Sequence, residues 1–98
     1  MRYLTVDGMR SGTGIRDTVE GGYLELHELG LSDVLLERFQ AWSSEYEREA
    51  HKERKDIGAI KKLDEQGMEL AVCLASAFPE YKIEYFSEGL TEKIFLKT

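Results

Sequence analysis

The sequence predicts an α+β domain in which two helices pack on one face of a mainly antiparallel four-stranded sheet, in the chain order ββααββ. Three observations lead there. Two long central segments repeat apolar residues at helical spacing, four short segments around them alternate at strand spacing, and Pro79 separates the second helix from the last two strands. At 98 residues, 42% of them hydrophobic and ten of them Phe, Trp or Tyr, the chain suffices for one core and not for two. A single domain spanning residues 1–98 is the expectation.

Residues 2–7, RYLTVD, set Leu4 and Val6 on one side and Tyr3 and Thr5 on the other in β-prone residue types, which predicts the first strand. A glycine-rich stretch follows, GMRSGTGIRDTVEGG at residues 8–22, with five of the nine glycines in the chain. Its composition predicts a mobile loop that uses glycine for positive φ angles. The second strand is expected at residues 23–28, YLELHE, where Leu24 and Leu26 alternate with Tyr23, Glu25 and His27.

Ser32 is a good N-cap and Asp33 suits the positive end of a helix dipole, so the first helix is expected to start there. Leu35, Phe39, Trp42 and Tyr46 then fall within about 60° of arc, a core-facing stripe. The same arc next receives Glu53, so the helix should end near residues 50–51. Asp56 is a second cap, and Ile60, Leu63, Gly67, Leu70, Leu74 and Phe78 repeat helically, with Met68, Ala71, Val72 and Ala75 widening the apolar face. Pro79 stops this helix, because the residue before a proline is pushed out of helical geometry. Gly67 costs about 1 kcal/mol against alanine inside a helix, which marks a close approach to the first helix. Strands are expected at residues 81–86, YKIEYF, and 91–97, TEKIFLK, with the turn SEGL between them.

Charge narrows the function classes. The chain carries 19 acids against 13 Lys and Arg, net −6. Residues 17–53 alone hold ten acids against Arg38, Arg48 and Lys52, net −7. That balance opposes binding to nucleic acid, which depends on neutralising cations, and favours a basic protein partner. No apolar run approaches the length of a membrane span, the start MRYLTVDG does not read as a secretory signal, and Cys73 has no second cysteine to pair with. The expected address is the cytoplasm, with no membrane partner.

Motif tests narrow them further. A G-x-x-x-x-G-K-[ST] phosphate loop fails because Thr13 stands where the second glycine belongs, and G-x-G-x-x-G fails because Asp17 occupies its last position. No cofactor is therefore expected. Zinc-ligand spacing is missing between His27, His51 and Cys73, so no metal site is expected either. His27, between Glu25 and Glu28, reads as an ordinary surface histidine, and Cys73 as a small buried hydrophobe. Asp7, Asp17 and Glu20 are the one carboxylate set open to a metal-assisted phosphoesterase reading, which is kept as an alternative. A homodimeric scaffold domain, using a free sheet edge or the exposed sides of Tyr81 and Tyr85, is another.

On a helical wheel Glu45 and Glu49 flank the aromatic stripe on one side, Glu47 flanks it on the other, and Glu37 points away from it. Together with Asp17 and Glu20 on the glycine-rich stretch, Glu37, Glu45 and Glu49 are the candidate docking residues for a basic partner.

The stretches LGLSDVLLERFQAWSSEYE (29–47) and LDEQGMELAVCLASAFPEYKIEYFSEG (63–89) resemble a loosely defined set of small bacterial proteins. In these a glycine-containing segment precedes L-G-L-S, a W…Y helix, a second helix and a V/I-x-Y-F strand. Such chains are similar in size and charge to the immunity proteins that neutralise secreted bacterial toxins. The resemblance implies a non-enzymatic inhibitor that occludes the active site of a basic toxin, for example a nuclease, and it carries over no functional residue.

Overall fold

The computed structural model describes residues 2–9, 12–54 and 56–94. Strands β1 (Tyr3–Val6) and β2 (Ile15–Asp17) form a hairpin, helices α1 (Asp33–Ala50) and α2 (Ile57–Ala77) follow, and strands β3 (Lys82–Ser87) and β4 (Glu92–Ile94) close the chain. The sheet runs β2-β1-β3-β4. Its outer pairs are antiparallel, and the central pair is parallel, with Leu4 opposite Ile83 and Val6 opposite Tyr85. Two antiparallel helices between the hairpins return the chain to its starting direction, which is why β3 can join β1 in parallel. The α+β class and the four strands agree with the sequence reading.

The second strand lies elsewhere than expected. Residues 15–17, inside the glycine-rich stretch, pair with β1, whereas the expected strand at residues 23–28 touches the sheet only through a bridge from Tyr23 to Arg16. Leu26–Leu29 instead forms a short 3₁₀ turn that buries Leu26. Alternation over so few residues does not separate a strand from a connector that tucks one leucine under a helix. Ile15 supplies what the strand needs, a β-branched side chain that is fully buried opposite Val6. Gly14 before it has φ +101°, and Phe39 and Trp42 pack 3.4 and 3.6 Å from where a Cβ would stand, so the turn into β2 is open to glycine.

Both helices start as their caps dictate. Ser32 Oγ accepts from Leu35 N at 3.2 Å, and Asp56 Oδ1 accepts from Ala59 N at 3.1 Å. Leu35, Phe39, Trp42 and Tyr46 are all buried, joined by Ala50 at the helix end. On α2, Ile60, Leu63, Gly67, Leu70, Ala71 and Leu74 face inward. Val72 is exposed, so the apolar face of α2 is narrower than its sequence suggested. A Cβ at Gly67 would collide with the Tyr85 ring and sit 2.6 Å from Trp42, so glycine here lets α2 approach α1 and β3 together.

The helices cover one face of the sheet, where Leu4, Val6, Ile15 and Tyr85 are buried. Tyr85 is therefore part of the core and offers no exposed side for dimerisation, while Tyr81 stacks on Phe78 at 5.2 Å. Of the strand expected at residues 91–97, positions 92–94 form β4, and 95–97 lie outside the described residues.

Candidate functional site

Two hydrogen-bonded carboxylates organise the interior. Asp64, one helical turn after Ile60 on the apolar stripe of α2, is 3% exposed. Its Oδ1 accepts from the hydroxyls of Tyr46 at 2.9 Å and Tyr85 at 2.6 Å, and its Oδ2 accepts from Ser87 Oγ at 2.7 Å. Tyr46 and Ser87 then accept from the backbone N–H groups of Gly89 and Leu90 at 2.8 and 3.1 Å. Both helices and the β3–β4 turn thus meet at one carboxylate. Burial first, and then the bond to and charge of Asp64, hold the Tyr85 hydroxyl far above the ordinary tyrosine range. Burial likewise pushes Tyr46 up to about 12.

Asp7, 2% exposed, is the second. It accepts from Tyr23 Oη at 2.5 Å, Met9 N at 3.2 Å and Arg16 Nε at 3.1 Å, tying the β1–β2 hairpin to the segment that follows it. Burial, reinforced by Asp7, raises the Tyr23 hydroxyl. Every buried side-chain nitrogen or oxygen among the described residues has a partner, so both clusters are complete internal structure. This bears on the carboxylate set Asp7, Asp17 and Glu20. Both oxygens of Asp7 are engaged, Asp17 Oδ1 accepts from Val19 N and Glu20 N at 2.9 and 2.8 Å within its own turn, and Glu20 is exposed. Among the described residues no group of three His, Cys, Asp or Glu converges as metal ligands would.

The candidate docking acids fall into two groups. Asp17 and Glu20 lie at one end of the β1–β2 ladder, while α1 packs at the other end, against Gly8 and Gly14. Glu37, Glu45 and Glu49 are on α1. Glu37 and Glu45 are exposed and form no ion pair among the described residues, whereas the half-buried Glu49 binds Lys52 at 2.8 Å.

Glu45 borders the feature that one-dimensional reading could not supply, a groove of about 350 Å³ between α1 and α2. Trp42, Ala41 and Leu70 line it together with Glu45, Gln66 and Glu69, and Arg38 stands at one end. The helices run antiparallel there: Arg38 Nη1 is 3.9 Å from Cys73 Sγ, and Trp42 Nε1 donates to Leu63 O at 2.8 Å. A smaller cleft of about 260 Å³ on the other flank of α1 includes His27, Gln40 and Ser43. Among the described residues no helix is long and apolar enough to cross a membrane.

Compared with known proteins, the chain matches no protein-family model and no curated protein.

Proposed function

We propose that this chain is an acidic protein-binding protein whose partner is a basic protein, and that it acts as a bacterial immunity protein or inhibitor by covering the active site of a toxin domain. The observation that carries the reading is the charge of residues 17–53, net −7, together with the exposure of Glu37 and Glu45 along α1. Exposed carboxylates carried on a capped helix raise the encounter rate with a cationic surface and penalise acidic competitors. The low net charge of the β1–β2 hairpin leaves α1 as the strongest source of that field.

The test is co-purification of the tagged chain from its host at low ionic strength, followed by association kinetics with the recovered protein. The expected partner is basic, binds with a rate that falls steeply as salt rises, and loses its toxic activity in the complex. An association rate indifferent to salt removes electrostatic docking. A partner that keeps its activity when bound removes inhibition.

A further inference from the structure

The docking reading leaves open where a cation would seat, and the groove between α1 and α2 answers that. Resting on that reading, we infer that this groove receives a lysine or arginine side chain of the basic partner, with its aliphatic stem across Ala41 and the exposed edge of Trp42 and its charged head between Glu45 and Glu69.

Ala41, exposed on α1, lines the groove beside Trp42 and Leu70 and, having only a methyl side chain, covers little of the seam between the helices. At 4% exposure, Trp42 is fixed in the core by its bond to Leu63 O and by ring contacts to Phe39, Tyr46 and Tyr85, so the floor is rigid. A narrow apolar floor suits a methylene stem better than a bulky ligand.

The charge order along the groove fixes the polarity of the occupant. Arg38 stands at the end beside Cys73. Glu45 lies seven residues further along α1, about 10 Å at the helical rise. Glu69 is one turn from Cys73 in the direction away from Arg38, and Gln66 is nearly one turn further still. Cationic charge is therefore confined to one end, and the rest of the rim is acidic or neutral. Neither Glu45 nor Glu69 forms an ion pair among the described residues. An anionic head would meet two carboxylates, whereas an ammonium or guanidinium head is drawn to the Glu45–Glu69 end and pushed from the Arg38 end.

Trp42 is the only tryptophan in the chain, so its emission reports on the groove directly. The experiment titrates the whole protein with tetralysine at low ionic strength, following Trp42 fluorescence and heat in parallel, with tetraglutamate as the control. Tetralysine should shift Trp42 emission saturably and tetraglutamate should not. Glu45→Gln combined with Glu69→Gln should weaken the tetralysine response about ten-fold, as loss of two surface ion pairs allows. Ala41→Arg, a change at an exposed helix position that supplies an internal occupant, should abolish it, while Glu80→Gln, at an exposed acid beyond the end of α2 and away from the groove, should leave it within about two-fold. Heat of binding with unchanged Trp42 emission, or an effect of Glu80→Gln equal to that of the groove pair, overturns the groove and leaves acidic docking standing. Absence of heat from tetralysine and from longer polylysine overturns both.

Discussion

Tyr85 on β3 places its hydroxyl 2.6 Å from Asp64 Oδ1 on α2, joining the sheet to the second helix at a point where both residues are buried. With Tyr46 and Ser87 donating to the same carboxylate, the charge is stabilised by three hydroxyls. Asp64→Ala strips all three of their acceptor, and an unsatisfied buried hydroxyl costs about 1–3 kcal/mol. A loss of about 3–5 kcal/mol in urea unfolding is expected, against about 1–2 kcal/mol for Tyr85→Phe, which removes one donor and leaves the carboxylate two. Equal losses in the two variants would show that the carboxylate is not the hub.

The same hydroxyls make the fold sensitive to alkali. An ordinary tyrosine loses its proton near pH 10, while Tyr46 is held up to about 12 and Tyr85 higher still. Below that ordinary value both folded and unfolded chains keep these protons, and stability does not depend on them. Above it the unfolded chain releases protons that the folded chain retains, so stability falls as pH rises, by about 1.4 kcal/mol per pH unit for each such hydroxyl. Tyrosinate absorbance and circular dichroism recorded together should show these tyrosines ionising in step with unfolding. Ionisation of all five tyrosines before any loss of structure would contradict this.

Gly67 is required by contact. Alanine is the better helix former by about 1 kcal/mol, but its Cβ would strike the Tyr85 ring and crowd Trp42. Both rings are locked in the core, so overpacking should dominate and Gly67→Ala should lose a net 1–3 kcal/mol or so. Gly22→Ala, where a Cβ meets nothing within 4 Å, should change thermal stability by less than about 0.5 kcal/mol. A stabilised Gly67→Ala would mean that the helix has room to move.

Trp42 and Glu45 separate stability from binding on neighbouring turns. Trp42→Ala removes a buried indole and its bond to Leu63 O and should cost about 3–5 kcal/mol, a large part of the 5–15 kcal/mol or so that a domain usually has. Glu45→Lys with Glu49→Lys alters an exposed and a half-buried residue and breaks one surface pair with Lys52. It should change stability by about 1 kcal/mol or less while weakening a basic partner. Paired thermal melts and affinities check both, and a Trp42→Ala protein as stable as wild type would make the stripe an interface instead of a core.

The sequence by itself determined the helices. Ser32, Asp56 and Pro79 are local signals whose effects reach only a turn or so, and the stripe from Leu35 to Tyr46 is a period read from one dimension. It also determined the class, since two helices between pairs of short strands have few ways to bury their apolar faces. Tertiary structure decided which short segment became β2. Ile15 and Leu26 are both apolar residues in polar surroundings, and the choice between them lies in the partner strand and in the space beneath Phe39 and Trp42. Asp64 left a trace, a charge on an apolar stripe, but nothing in its neighbours names Tyr46, Tyr85 and Ser87, which come from two other elements. Glu45 was legible as an acid beside that stripe. Its place on a groove was not, because a groove is made by two helices at once, and Gln66, Glu69 and Leu70 meet Ala41 and Trp42 only after α2 has folded back along α1.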